Sequence, residues 1–188
     1  MTATTPLITD VAAPPSAPPS APLAANEWGV RVGFADVDQM RVAHHARYWP
    51  WFEEARFHFL RTVLHLDVDE IVATGVYTPL VHSECRYLRA VRWGDSPIVR
   101  VRLVLPRSAR LTFTHDLIDA HERSRVFARA RTTHVFTDHD MRLLCTIPAP
   151  YAARFRVAVR EHPDAFLEPE APRGSAAGGT PRVPLRSP

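Results

Sequence analysis

Asp36 and Asp38 stand at the end of an apolar-alternating segment, the histidine pair His44-His45 follows, and an aromatic run, Tyr48-Trp49-Pro50-Trp51-Phe52, comes next. A carboxylate can attack a carbonyl carbon or take a proton from water. A helix start presents unpaired backbone N–H groups and a partial positive charge, which can hold a developing oxyanion. An acid beside a helix start is therefore a candidate pair for acyl-transfer chemistry, with Asp38 as the acid. From spacing alone, ordinary loop acids or a helix-capping pair explain the two aspartates as well. If their segment stays extended, both side chains point one way, and repulsion from Asp36 would raise the proton affinity of Asp38.

The elements that must position these residues follow from periodicity. Trp28, Val30, Val32 and Phe34 alternate with polar or small residues, which predicts a strand over Glu27–Ala35. From Arg47 to Leu64 the period becomes helical, with Tyr48, Phe52, Ala55, Phe59 and Val63 on one stripe. Pro50 is tolerated only in a first turn, so the helix begins near His45 or Ala46. A short extra turn is expected over Asp69–Ala73. Strands are then expected over Val76–Val91, Ile98–Leu105, Arg110–Ala120 and Arg125–Thr137, with a short last strand over Met141–Thr146. A helical turn over Pro148–Val159 closes the domain. One long helix followed by antiparallel strands is an α+β pattern, best satisfied by a curved sheet wrapped around that helix.

The run DVDQMRVAHHARYWPWFEEAR resembles the 4-hydroxybenzoyl-CoA thioesterase and YbgC-like branch of the hot-dog fold. The matching residues are Asp36, Asp38, His45, Tyr48, Phe52, Glu53 and Arg56, and the likeness extends loosely over Glu27–Arg156. Two positions depart from the pattern. The family's glycine two or three residues after the acid is replaced by Met40 and Arg41, and the asparagine before the tyrosine is Arg47. The resemblance implies a hot-dog fold and hydrolysis of an acyl-CoA or acyl-carrier-protein thioester, in fatty acid or polyketide metabolism. Asp38 would be nucleophile or general base, and the His45 backbone N–H would polarise the carbonyl. It also implies edge-to-edge assembly into a homodimer, or a homotetramer of paired dimers, with each site shared between subunits.

Other residues carry weaker signals. Tyr48, Trp49 and Phe52 serve the core first, but the resemblance places an acyl pocket beside this helix, so they are expected to meet the substrate. Arg86 and Arg89, with Arg92, Arg107 and Arg110, suit bidentate contacts to coenzyme A phosphates, although each alone is an ordinary strand or loop cation. Glu53 and Arg56 are helical neighbours that predict an ion pair, and Glu53 or Glu54 is a second candidate acid. Adjacent histidines on a turn diverge, so His44 and His45 predict no metal site, and no cofactor is expected. Cys85 and Cys145 are expected in strands as inert thiols. G-x-S-x-G, G-x-G-x-x-G and P-loop patterns do not occur. The alternatives are a non-catalytic acyl-thioester-binding module, or a dehydratase or polyketide-processing enzyme drawing its histidine from His44, His45 or His58.

The 188 residues carry a formal net charge of +3, with arginine as the sole basic residue type besides histidine. That balance suits an anionic ligand and is too weak and evenly spread for nucleic acid. Residues 1–26 and 161–188, rich in proline and small residues, are expected to be disordered tails around one domain over 27–160. No apolar run is long enough to span a membrane, the N-terminus lacks a signal-peptide pattern, and two cysteines are too few for a disulfide framework. A cytoplasmic location is expected.

Overall fold

A computed structural model describes residues 22–169 of the protein. The tail expectations for residues 1–21 and 170–188 lie outside the described residues. The elements in chain order are β1 (Glu27–Gly29), α1 (Tyr48–Thr62), α2 (Val68–Ala73), β2 (Leu80–Tyr87), β3 (Ile98–Val104), β4 (Arg110–Ile118), β5 (Val126–Val135), α3 (Ala149–Glu161) and β6 (Phe166–Leu167). The sheet runs β1-β3-β4-β5-β2, all antiparallel, and β6 adds to β3 in parallel. β1 and β6 share one edge of β3, pairing with its first and second halves. The opposite edge is β2.

Helix α1 lies on the concave face. Trp51, Phe52, Ala55, Phe59 and Leu60 bury its inner stripe against Val99, Val101, Leu103, Leu111, Phe113 and Leu117. Phe59 stacks edge-on against Phe113 at 5.8 Å between ring centres. Pro50 sits in the first turn, as its missing N–H requires. This is the α+β arrangement that the resemblance implies, a hot-dog fold.

Four boundaries differ from expectation, each for a local reason. β1 ends at Gly29 because its partner strand is preceded by Pro97, which has no N–H for the ladder. Val30 and Val32 stay buried, donating singly to the Pro97 and Asp95 carbonyls. β2 is shorter than Val76–Val91. It starts after Pro79 with a register shift, and it stops where Leu88 and Arg89 both donate to the Phe127 carbonyl. The expected strand over Met141–Thr146 does not form. Tyr77 already exchanges both backbone bonds with Thr137, and residues 138–142 close a tight turn with Met141 left-handed at φ 61°. Only a single bridge, Thr137–Leu143, remains.

The fourth difference moves the C-terminal boundary. The closing helical turn is a helix of 13 residues, α3, with Tyr151, Phe155 and Ala158 buried. Beyond it, a 3-10 turn over Pro163–Ala165 and β6 continue the fold past residue 160, where a tail was expected. Phe166 is buried and reaches the Phe59 ring at 6.2 Å. Phe166→Ala should therefore cost about 3 kcal/mol. Truncation after Glu161 should cost at least as much, since it also bares the edge of β3. Urea unfolding of both variants checks this, and a tail without structural role would leave the midpoint unchanged.

Candidate active site

The loop between β1 and α1 is built around two aspartates with different tasks. Asp38 heads a tight turn. Its N–H donates to the Val42 carbonyl (3.0 Å), its carbonyl accepts from Arg41 (2.9 Å), and its Oδ1 accepts from the Met40 N–H (2.8 Å). Arg41 closes the turn in the left-handed region at φ 59°. That conformation favours glycine, and it falls where the resemblance has one. The turn thus keeps a glycine-type path with an arginine in it. The other oxygen of Asp38, Oδ2, has no hydrogen-bond partner among the described residues.

Asp36 is buried and fully engaged. Its Oδ2 accepts from the Gly33 N–H (2.8 Å), its Oδ1 from Arg47 Nε (2.6 Å), and its carbonyl from the His44 N–H (2.8 Å). The segment is not extended, because Phe34–Asp36 is a 3-10 turn. The expected extended path is corrected accordingly, and Arg47 pairs with Asp36. Arg47, the residue that departs from the family's asparagine, is that partner.

Before α1, a 3-10 turn over His45–Arg47 leads into the helix. The His44 ring accepts from the Ala46 N–H (3.3 Å) and its carbonyl from the Arg47 N–H (2.9 Å). The His45 N–H takes no acceptor among the described residues. His45 lines a cleft of about 380 Å³ together with Asp38, Met40, Tyr48, Tyr87 and Arg89. Tyr87 donates to the His45 carbonyl (3.3 Å) and meets Tyr48 edge-on at 5.0 Å. Burial, and then Cys85, raises the Tyr48 phenol above its ordinary value. Arg89 is tethered by a bond from Nη1 to the Val126 carbonyl (2.8 Å).

A second cavity, about 460 Å³, lies between α1 and the sheet. Trp49, Phe52 and Arg56 line it from the helix, and His115, Thr132 and His134 from the strands. The expected residues are thus divided. Asp38, His45, Tyr48 and Arg89 share the cleft, while Trp49 and Phe52 face the second cavity. Arg86 lies on the outer face of the sheet beside Arg102 and Arg129. The Glu53–Arg56 pair forms at 3.7 Å. His58 packs on Trp28 at 5.1 Å and lines neither space. Cys85 is half-buried, its thiol pushed up by burial, whereas Cys145 is exposed and outside any strand.

His115 and His134 were not among the candidates read from the sequence. The signal was there: Leu111, Phe113, His115 and Leu117 alternate, which puts one imidazole on the buried face of β4. His115 Nε2 meets Thr132 Oγ1 (3.2 Å), and His134 Nδ1 meets the Thr78 carbonyl (3.0 Å). Nδ1 of His115 and Nε2 of His134 have no partner. Burial, then the Arg56 charge, pushes His115 down to about 3 and His134 to about 4. The rings of His44 and His45 stack at 4.1 Å. Elsewhere, His65, Glu161 and His162 bring potential ligand atoms within 4.8 Å of one another on the surface, remote from both spaces.

Residues 32–155 match the model of the thioesterase-like superfamily, and the chain belongs to that superfamily. A relative from Aquifex aeolicus named "Putative esterase" is 33% identical over 104 residues, covering 55% of this chain and 78% of its own length. The structure of a Thermus thermophilus protein without a named activity superposes with a TM-score of 0.63 at 27% identity, over 70% of this chain and 98% of that one. A 1,4-dihydroxy-2-naphthoyl-CoA thioesterase from Synechocystis gives a TM-score of 0.62 at 22% identity, over 69% and 94% of the two chains, which supports the fold alone.

The two buried imidazoles make stability depend on pH. Their folded values, about 3 and about 4, lie below the ordinary 6.5, so below pH 6.5 the unfolded chain binds more protons than the fold. Above pH 6.5 both rings are neutral in either state and their titration costs the fold nothing. Below that a penalty grows as the pH drops, and it levels off below the folded values. At pH 5 the loss should be roughly 2 kcal/mol per histidine. Melting curves between pH 7.5 and 5 measure the slope, and His134→Gln should flatten it.

Proposed function

We propose that the protein is a hydrolase of acyl thioesters, with Asp38 as nucleophile or general base and the His45 N–H as donor to the thioester oxygen. One observation carries the reading: Asp38, with a free carboxylate oxygen, and His45, with an unpartnered N–H on the 3-10 turn that leads into α1, line the same cleft. The acid attacks the carbonyl carbon or activates water against it, and the negative charge forming on oxygen meets the His45 N–H and the positive helix end. The thiol leaves as coenzyme A or a carrier-protein pantetheine, with Arg89 at the mouth of the cleft. The spacing of Asp38, His45, Tyr48, Glu53 and Arg56 supports the 4-hydroxybenzoyl-CoA thioesterase and YbgC-like branch. The glycine missing at Met40-Arg41 is the sequence feature that favours a non-catalytic module. Arg41 in the left-handed region speaks against it, since the loop keeps the conformation a glycine would give. A dehydratase using His58 has no support from its place against Trp28. We place the enzyme in the cytoplasm, where both cysteines stay reduced.

Asp38→Asn keeps an oxygen for the Met40 N–H, so the turn survives and only the charge is lost. Turnover in a thiol-release assay with acyl-CoA should fall on the order of 100-fold or more. Activity within a few-fold of the parent would remove Asp38 from the mechanism.

The active form is proposed to be a homodimer joined through β2. This edge exposes Leu80, Val81, Tyr87 and Leu88, and an unpaired edge of that character invites pairing. Antiparallel pairing of β2 with its copy sets the Leu80 end of one chain against the Tyr87 end of the other. The second cavity sits at the Leu80 end and the Asp38 cleft at the Tyr87 end, so each working site would combine a cleft from one chain with a cavity from its partner. Asp38→Asn and Arg56→Met proteins, each impaired alone, should then regain activity when mixed under conditions of subunit exchange. Their heterodimer holds one site free of both changes. A mixture no more active than its components, or an active monomer by light scattering, would exclude the shared site.

A further inference from the structure

The ends of α1 and α3 meet on the surface at three side chains that line neither the Asp38 cleft nor the second cavity. His65 follows α1, Glu161 is the last residue of α3, and His162 caps that helix. Each offers one ligand atom, and the three atoms lie within 4.8 Å of one another. His65 Nε2 stands 3.3 Å from Glu161 Oε2, and the His65 and His162 ring centres are 6.5 Å apart. The backbone holds all three positions. Leu64 and Leu66, on either side of His65, are buried, and their N–H groups donate to the Phe59 (3.3 Å) and Leu60 (2.8 Å) carbonyls of α1. His65 between them is left-handed at φ 50°. The His162 N–H donates to the Ala158 carbonyl (2.8 Å), and its own carbonyl accepts from Ala165 (3.0 Å). The His65 and Glu161 side chains are exposed, so they can turn while their anchors stay in place.

An ion pair between His65 and Glu161 accounts for only part of this group. An exposed pair of that kind contributes little, and it leaves the second imidazole without a task. A divalent cation uses all three side chains. Two imidazoles and a carboxylate are a donor set that zinc and its transition-metal neighbours favour, whereas Mg²⁺ and Ca²⁺ take oxygen. Bonds of about 2.1 Å at tetrahedral angles hold neighbouring ligand atoms about 3.3 Å apart. His65 and Glu161 already have that separation, and side-chain rotation closes the remaining distance to His162. Three protein ligands leave the fourth position to water. We infer that His65, Glu161 and His162 form a binding site for a divalent transition cation of the zinc class. The bound ion joins the end of α1 to the end of α3, and from there the chain runs directly into the Pro163–Ala165 turn and β6. It thus braces the segment that pairs with the second half of β3. Binding needs a lone pair on each ligating nitrogen, so any proton there passes to solvent. The inference is independent of the thioesterase reading.

The test is calorimetric titration of the untagged full-length chain with Zn²⁺ after treatment with a chelator. A single equivalent should bind, and His65→Asn and His162→Gln should each weaken it by about ten-fold or more. Asparagine tolerates the left-handed backbone at position 65, so the first change removes the ligand and keeps the turn. Zn²⁺ at about 100-fold excess over its Kd should raise the melting temperature of the wild-type protein by about 5 °C or more. Mg²⁺ and Ca²⁺ at the same concentration should leave it unchanged. The double variant should lose the zinc-dependent rise. A plain His65–Glu161 ion pair predicts otherwise: the variant would melt lower in chelator and respond to zinc as the wild type does. Co²⁺ should give the visible absorption of a tetrahedral site with the wild-type protein and not with the double variant. Far-ultraviolet circular dichroism shows whether the double variant folds, and Glu161→Gln carries the test if it does not. Absence of binding, or a wild-type melting temperature unmoved by Zn²⁺, would overturn the inference. So would an equal zinc response in the variants, which would put the ion on other histidines.

Discussion

A helix laid along a concave sheet can slide on its axis unless its start is fixed, because apolar packing is nondirectional. In this protein the start is fixed by Asp36. Its buried carboxylate takes Arg47 at 2.6 Å and the Gly33 N–H at 2.8 Å, and its carbonyl takes the His44 N–H. Those contacts tie the end of one 3-10 turn to the beginning of the next. The Asp38 turn is held between them by the Val37–Ala43 bridge. The spacing between Asp38 and the His45 N–H ahead of α1 is therefore set by Asp36. Removal of Arg47 would leave a buried charge with no counter-ion, and this is the kind of loss that propagates through a fold.

Sequence pattern made the fold legible where one physical rule governed a segment. The aromatic stripe from Tyr48 to Val63 identified α1, and Pro50 located its first turn within a few residues. The long strands β3, β4 and β5 followed from alternation. The boundaries that shifted were those set by partners outside the segment. Pro97 shortened β1 from across the ladder, and Tyr77 occupied Thr137 before residues 141–146 could. β6 is two residues long, too short for any periodicity, and exists because β3 has an open half-edge and Phe59 an open face for Phe166.

The site was legible in part. The Asp38–His45 pairing came from motif spacing, and the cleft brings both together with Tyr48 and Arg89. Alternation alone was enough to send Arg86 to the opposite face from Cys85 and Tyr87, but phosphate-binding chemistry drew attention to it first. His115 and His134 went unnoticed for the converse reason. A histidine in an apolar strand face reads as ordinary core, and only three-dimensional packing shows that two of them, from neighbouring strands, converge on one buried arginine.

That convergence separates two demands on one sheet. Along β3 the concave face is wholly apolar, with Val99, Val101 and Leu103, and there it supports α1. Toward β2 it becomes polar, through His115, Thr132 and His134. The buried polar groups lie beside the edge strand whose exposed leucine, valine and tyrosine call for a partner. A sheet optimised for the monomer would place its polar residues at the wet edge and its apolar ones inside. This one has apolar residues at the edge and polar residues one and two strands in. Such an inversion is coherent if the edge becomes interior on assembly, and the polar cavity then becomes the wall of a space enclosed by two chains.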